Sequence, residues 1–182
     1  MKPTIEQIIN YNRYSLKKLL STVLLLFTVV ACFAQTGKTK KFAVFPREFK
    51  LQPGEVPAGF VTRPIDQEAK SMGITSNPAV VNNTNIISNV YDGINVNAVT
   101  AVMMSMYVKP NHEQELGVYI IEYKSDQLLK TELKKLTPAP GKKYYRKGNY
   151  LFMIWSDAGS YTQQVNTMAE RLKTRLKLTE VK

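Results

Sequence analysis

The sequence predicts an α+β fold: a two-layer sandwich in which a four-stranded antiparallel sheet, built from two ββα units, carries two principal helices. Strand-length apolar segments recur in the second half of the chain and are rich in aromatic and β-branched residues, as buried strands are. Apolar residues at helical spacing follow each pair of these segments. We expect one domain over residues 42–178, with an irregular arm over 42–97, which includes a short helix, and a ββαββα core over 98–178.

The second ββα unit has the clearest pattern of the chain. Its predicted strands are Lys142–Lys147 and Tyr150–Trp155, and Gly148-Asn149 between them is a hairpin-turn pair. Ser160 is the predicted start of the following helix, because Gln163 three residues later completes a capping box. The apolar stripe of this helix consists of Tyr161, Val165, Met168, Ala169, Leu172 and Leu176.

The first ββα unit is predicted from the same signals. Its strands are Val99–Val108 and Leu116–Lys124, joined by a hairpin loop that contains Pro and Asn. Ser125 is the predicted N-cap of the next helix, and the proline-containing segment Thr137–Gly141 ends it. The stripe of this helix consists of Leu129, Leu133 and Leu136. We expect both helices on one face of the sheet, because two ββα units in series favour that arrangement.

The second face of the sheet is also predicted to be covered. Along each strand, the residues that point to either face of the sheet are largely apolar. A sheet with one solvent-exposed face would instead alternate apolar with polar residues. In the second strand the two sets are Val118 and Ile120 against Tyr119, Ile121 and Tyr123. The candidates for covering this face are the arm, a second copy of the chain or a ligand. We also expect Trp155 to be a buried anchor of the core.

The arm has little regular structure in this interpretation. Phe42–Phe45 is a predicted short strand, and residues 46–64 contain four prolines, which favour an irregular path. Residues 64–73 are expected to contain one or two helical turns that end at Gly73. The apolar side chains of the arm need a surface to bury against, which the second face of the sheet would supply.

Residues 78–91 have two interpretations. The first is a helix with Asn77 as N-cap and Pro at its first position, with the stripe Val80, Thr84, Ile87 and Tyr91. The second is a hairpin that pairs Ile86–Tyr91 with Ile94–Val99 across an Asp-Gly turn. We prefer the helix, although its Asn and β-branched residues are poor helix formers.

The first 34 residues predict export as a signal peptide. Residues 1–18 form a polar n-region with a basic end, and residues 19–31 form an apolar h-region, the order found in secretory signal peptides. The apolar run is shorter than the ~20 residues of a spanning helix. An uncleaved anchor in the inner membrane is the alternative. Residues 35–41 then form a polar, basic linker.

Two cleavage sites compete within this segment. Val29-Val30-Ala31-Cys32 resembles a bacterial lipobox, in which the cysteine becomes the lipidated first residue. Cys32-Phe33-Ala34 before Gln35 resembles a signal peptidase I site, and the ending Phe33-Ala34-Gln35 resembles that of many exported proteins of Bacteroidota. We favour the cut before Gln35. Either cut implies the periplasm or association with the outer membrane.

The composition argues against several chemistries. The chain has 182 residues and a net charge of +11, with one cysteine and one histidine, so neither an internal disulfide nor a Cys/His metal site is predicted. His112 lies in a predicted hairpin loop, where a solvated role is expected. Phosphate-loop, nucleophile-elbow and metalloprotease motifs are absent from the sequence. We predict no catalytic residue, metal or cofactor, and surface or capping roles for Glu122 and Asp157.

These expectations combine into a non-catalytic envelope domain that binds a protein partner or an apolar ligand on the second sheet face. Tyr107, Tyr119 and Tyr123 are the predicted residues of a groove between arm and sheet, because tyrosine combines contact area with a polar tip. Homodimerisation through that face is a further expectation. No nucleic-acid partner is expected, and membrane contact is expected only through lipid on Cys32 or an uncleaved signal. The alternative is a periplasmic hydrolase or other enzyme with a carboxylate-based site in the groove.

Processing of the N-terminus is directly testable. Protein recovered from envelope fractions should begin at Gln35 or at a lipidated Cys32, as read by intact mass spectrometry. Cys32→Ala separates the two cuts, because loss of membrane association would identify the lipobox. An intact chain beginning at Met1 in the cytoplasm would contradict export.

Overall fold

The computed structural model describes residues 45–91, 93–137 and 139–181. These residues form a seven-stranded antiparallel sheet with four α-helices and short 3₁₀ turns. The strands are β1 (Val61–Thr62), β2 (Ala79–Val81), β3 (Val99–Val108), β4 (Glu115–Tyr123), β5 (Lys142–Lys147), β6 (Tyr150–Ser156) and β7 (Thr179–Glu180). The helices are α1 (Gln67–Ser71), α2 (Thr84–Val90), α3 (Asp126–Leu133) and α4 (Thr162–Leu176).

The predicted α+β class is confirmed, but the predicted number of strands is wrong. The four expected strands correspond to β3, β4, β5 and β6, and their bounds agree closely with the prediction. The additional strands β1, β2 and β7 are two or three residues long. Such short segments carry no measurable alternation of apolar and polar residues, so only their pairing in the folded sheet reveals them.

Strands β3, β4, β6 and β5 form the centre of the sheet in that order. β1 and β2 both pair with β3 and share its outer edge, while β7 pairs with β5 at the opposite edge. The register places Met104 opposite Tyr119. An irregularity between Val99 and Ala101 shifts the start of β3, so these two residues pack on opposite faces of the sheet, as a bulge causes.

Each face of the sheet is covered by one helix and one part of the arm. On the α4 face, the buried side chains of α4 pack with Phe45, Phe49 and Phe60 of the arm. On the α3 face, Leu129 of α3 packs with arm residues between 65 and 96. The expected two-layer arrangement with both helices on one face is therefore wrong. Because both faces are apolar, one helix is needed on each, and the arm fills what each helix leaves uncovered.

The predicted helix over residues 78–91 is confirmed only in its second half, and the alternative hairpin is wrong. Residues 79–81 form β2, and α2 begins only after Asn83, whose side chain accepts a hydrogen bond from the Asn85 N–H at 2.9 Å. The hairpin fails because Thr84–Val90 is helical. Asn77 does not act as an N-cap, since its side-chain amide is bonded to the backbone of β3 instead.

Several predicted turns and caps are confirmed, and one is wrong. Ser125 caps α3, Gly148 adopts the positive φ of a hairpin turn, at 58°, and α1 supplies the helical turn expected before Gly73. The capping box at Ser160 is wrong, because α4 begins at Thr162 after a 3₁₀ turn and has no side-chain cap. The predicted stripe of α4 is buried throughout: Tyr161, Val165, Met168, Ala169, Leu172 and Leu176.

The signal peptide, the linker 35–41, Cys32 and residues 42–44 of the predicted first strand lie outside the described residues. Phe45, the last residue of that predicted strand, is buried but is not part of a strand. Among the helices of the described ranges, none combines the length and apolar character that crossing a membrane requires.

Arg175 of α4 fastens the arm to the α4 face. Its guanidinium donates two hydrogen bonds to the Glu55 carboxylate, at 2.5 and 2.9 Å, and others to the carbonyls of Glu48 and Lys50. The same carboxylate accepts from the Gln52 N–H at 2.8 Å. Glu55 is only 5% exposed, so this bidentate pair neutralises a buried charge.

Replacing Arg175 by alanine should destabilise the protein strongly, because it leaves the buried Glu55 carboxylate without a counter-charge. We expect a loss of about 3–5 kcal/mol in the free energy of unfolding, measured by urea denaturation. The control is Lys130→Ala, which breaks an exposed pair with Asp126 and should cost less than about 1 kcal/mol. Equal effects of the two substitutions would show that Arg175 does not hold the arm in place.

Candidate binding site

A cavity of about 190 Å³ lies between the arm and the α3 face of the sheet. We call it the arm pocket. Its wall on the arm side is formed by Pro64, Ile65, Ala69, Met72, Ile74 and Ala79, and its wall on the sheet side by Met104, Met106 and Tyr119. The polar residues of the lining are Arg63, Ser76, Asn77 and Asn89. The pocket is therefore mainly apolar, with a few polar groups, as binding cavities generally are.

Helix α1 and the turn after it build the arm side of the pocket. Asp66 caps α1, because its carboxylate accepts a hydrogen bond from the Ala69 N–H at 2.7 Å. This backbone bond is the main reason why the pKa of Asp66 is lowered. Gly73 then adopts a φ of 82°, a conformation that suits glycine, and the chain turns so that Ile74 is buried beside Ala69.

Asn77 closes the gap between β1 and β2 along the edge of β3. Its Oδ1 accepts a hydrogen bond from the Met106 N–H at 3.0 Å, and its Nδ2 donates to the Met106 carbonyl at 2.7 Å. Nδ2 also donates to the Arg63 carbonyl at 3.1 Å. The amide thus pairs with β3 as a strand backbone would. Both Nδ2 hydrogens and Oδ1 are therefore hydrogen-bonded within the protein, so Asn77 does not require a polar ligand.

Arg63 is the charged residue of the lining, and two carboxylates neutralise it. Its guanidinium lies 2.7 Å from Asp66 and 2.8 Å from Glu115. Burial raises the pKa of Glu115, the charge of Arg63 opposes that rise, and the carboxylate of Asp157 adds to it. Burial also raises the pKa of Tyr119 to about 12, so its phenol is neutral at physiological pH. The pocket therefore offers no unpaired charge to a ligand among the described residues.

Trp155 lies beside the pocket and packs against the core of the α3 face, as expected of an anchor, but it is half-buried and not buried. Its ring packs edge-on against Tyr119 at 5.3 Å between centroids. It also covers Gly117, its cross-strand neighbour, where an added Cβ would lie 2.5 Å from the indole. Gly117 is therefore required because a larger residue would displace the ring. The indole Nε1 is buried and has no hydrogen-bond partner among the described residues.

The three predicted tyrosines do not share one groove. Tyr119 lines the arm pocket, and Tyr123 lines a separate cavity on the same face. Tyr107 packs on the α4 face, because it lies opposite Leu116 in the register and thus alternates away from Tyr119. His112 lies in the turn between β3 and β4 and is exposed.

Sequence reasoning missed the two polar residues that shape the arm pocket, Arg63 and Asn77. The Asn-Pro pair was a visible signal, but it also fits a helix start. Glu122 accepts a hydrogen bond from the Tyr150 hydroxyl at 3.1 Å, and Asp157 accepts one from the Glu115 N–H at 2.7 Å, in keeping with the expected surface and capping roles. In the described ranges, no group of three or more His, Cys, Asp or Glu side chains could hold a metal ion.

No family model, curated protein or solved structure matches this chain.

The contact between Gly117 and Trp155 gives a spectroscopic test of the packing beside the pocket. Gly117→Ala should displace the indole, because the new Cβ would lie 2.5 Å from it, and should cost about 1–3 kcal/mol by overpacking. Trp155 is the single tryptophan of the chain, so its fluorescence emission should shift to longer wavelength. Gly54→Ala, with no atom within 4 Å of the new Cβ, is the control and should leave the spectrum unchanged. An unshifted spectrum in Gly117→Ala would disprove the contact.

Proposed function

We propose that this chain is an exported, non-catalytic binding domain of the bacterial envelope, whose arm pocket accepts a neutral apolar group. The N-terminal 34 residues support export through their signal-peptide pattern. In this proposal the two ββα units act as the scaffold, and the arm supplies the binding site.

The observation that carries the proposal is the neutral, apolar lining of the arm pocket. Its two walls are formed by aliphatic side chains, methionines and one tyrosine. The one cation of the lining, Arg63, is neutralised by two carboxylates, and both Nδ2 hydrogens and Oδ1 of Asn77 are hydrogen-bonded within the protein. A charged ligand would lose its hydration there without gaining a counter-charge, and most of the lining is apolar, so an apolar group is favoured.

The size of the pocket limits what it can hold. An apolar cavity of about 150 Å³ holds benzene, and the arm pocket, at about 190 Å³, is slightly larger. The occupant is therefore a small apolar molecule or one apolar side chain of a protein partner. Met72, Met104 and Met106 suit either occupant, because the unbranched methionine side chain adapts to irregular shapes.

Filling the pocket tests the proposal. Ala69→Leu should occupy the space, abolish binding of a small apolar probe such as toluene, and leave the melting temperature unchanged or higher. Calorimetric titration measures the binding, and Ala58→Leu, the same substitution at an exposed arm residue, is the control and should bind as the unmodified protein does. Equal toluene binding by the Ala69→Leu protein, or no binding by the unmodified protein, would contradict the proposal.

The two kinds of occupant are separated by purification from envelope fractions. If Ala69→Leu removes a co-purified small molecule seen by mass spectrometry, the pocket holds a free ligand. If it removes a cross-linked protein that the Ala58→Leu control retains, the pocket holds a side chain of a partner. Hydrolytic turnover abolished by Glu115→Gln would instead contradict a non-catalytic role.

A further inference from the structure

A second cavity on the α3 face has different chemistry. It has a volume of about 210 Å³ and is lined by Tyr91, Tyr123, Tyr144 and Glu132, with Lys135 among its other residues. We call it the tyrosine pocket. It shares no lining residue with the arm pocket. A buried carboxylate among three phenols therefore defines a separate site.

Glu132 is the negatively charged residue of the tyrosine pocket, and only 7% of its surface is exposed. Its Oε1 accepts a hydrogen bond from the Lys135 ammonium at 2.7 Å. No donor among the described residues is bonded to Oε2. The Lys135 side chain is 60% exposed, so the counter-charge of this buried carboxylate comes from a surface lysine that loses side-chain freedom when it pairs.

The three phenols line the same cavity as the carboxylate and are neutral groups. Burial raises the pKa of Tyr91 to about 12, and the nearby Tyr144 hydroxyl and Glu132 charge act in the same direction. Burial, followed by the charge of Glu132, also raises the pKa of Tyr123, and burial raises that of Tyr144. All three hydroxyls stay protonated at neutral pH. They offer acceptor oxygens and aromatic rings around a single negative charge.

We infer that the tyrosine pocket binds an organic cation that carries a primary ammonium group. The carboxylate of Glu132 supplies the counter-charge, the phenol oxygens accept the remaining N–H bonds, and aromatic rings attract cations. An anion would be repelled by Glu132, and a neutral alcohol would lack the charge attraction. A cavity of about 150 Å³ holds benzene, so the tyrosine pocket, at about 210 Å³, has room for a ring or a short chain on the amine.

The Lys135 side chain is itself a primary ammonium group bound to the Glu132 carboxylate. It therefore competes with a ligand amine for that carboxylate. A ligand amine either replaces the Lys135 ammonium at Oε1 or binds Oε2 beside it. In both cases the positive charge of Lys135 opposes the ligand. Removing Lys135 should therefore strengthen amine binding, whereas removing the charge of Glu132 should weaken it. These opposite effects distinguish a ligand site from a purely structural ion pair.

The test compares benzylammonium with benzyl alcohol, its neutral analogue, in calorimetric titrations of the purified protein. We expect benzylammonium to bind the unmodified protein roughly tenfold or more tightly than the alcohol does. Glu132→Gln should remove this difference, and Lys135→Ala should tighten benzylammonium binding roughly tenfold. At ten times its Kd the amine should raise the melting temperature by about 5 °C.

Two controls make the result specific. Lys134→Ala removes an exposed lysine next in sequence and should bind benzylammonium as the unmodified protein does. Ala69→Leu fills the arm pocket and should also leave amine binding unchanged. The proposal for an apolar group in the arm pocket and the inference of an amine in the tyrosine pocket can therefore fail independently. Equal binding of the alcohol, full binding by Glu132→Gln, or weaker binding by Lys135→Ala would overturn the inference. If Glu132→Gln or Lys135→Ala does not fold, the preference of the unmodified protein for benzylammonium over benzyl alcohol decides the outcome.

Discussion

The structure depends on one constraint: the central sheet is apolar on both faces and must be covered on both. Side chains of β3, β4, β5 and β6 contribute to two separate buried clusters, one on each face. Exposing a whole sheet face would leave an apolar patch well beyond the few hundred Å² usual on soluble monomers. The chain meets this requirement by placing α4 on one face and α3 on the other. The shorter of the two, α3, leaves more of its face to be covered by other segments.

The arm supplies the missing cover and thereby creates both cavities. Its first part, through Phe49 and Phe60, completes the α4 face, where aromatic rings and the pair between Glu55 and Arg175 hold it. Its second part crosses to the α3 face by way of β1, which adds to the edge of β3. Short elements connected by turns cannot fill a flat sheet surface as closely as a long helix does. The arm pocket and the tyrosine pocket are the spaces left where these elements meet the sheet.

The two pockets differ in how their charged and polar side chains are paired with neighbouring groups. In the arm pocket, two carboxylates neutralise Arg63, and the backbone of β3 forms hydrogen bonds with the Asn77 amide. The interior therefore carries no unpaired charge among the described residues. In the tyrosine pocket, a single exposed lysine balances the buried Glu132. A buried charge with one replaceable partner is chemically available, whereas a saturated network is not. This difference is the basis for proposing an apolar group in the first pocket and a cation in the second.

Local sequence patterns are sufficient to predict the α+β class, the four central strands, the stripe of α4 and the apolar character of both sheet faces. These features follow from periodicity and turn chemistry, which neighbouring residues carry by themselves. The sequence does not reveal which helix covers which face, why Tyr107 lies apart from Tyr119 and Tyr123, or why Asn77 bonds β3 instead of capping a helix. These outcomes depend on register and on partners distant in sequence, which the folded sheet brings together. The bulge between Val99 and Ala101, the edge of β3 and the backbone of Met106 become neighbours of the arm only after the sheet has formed.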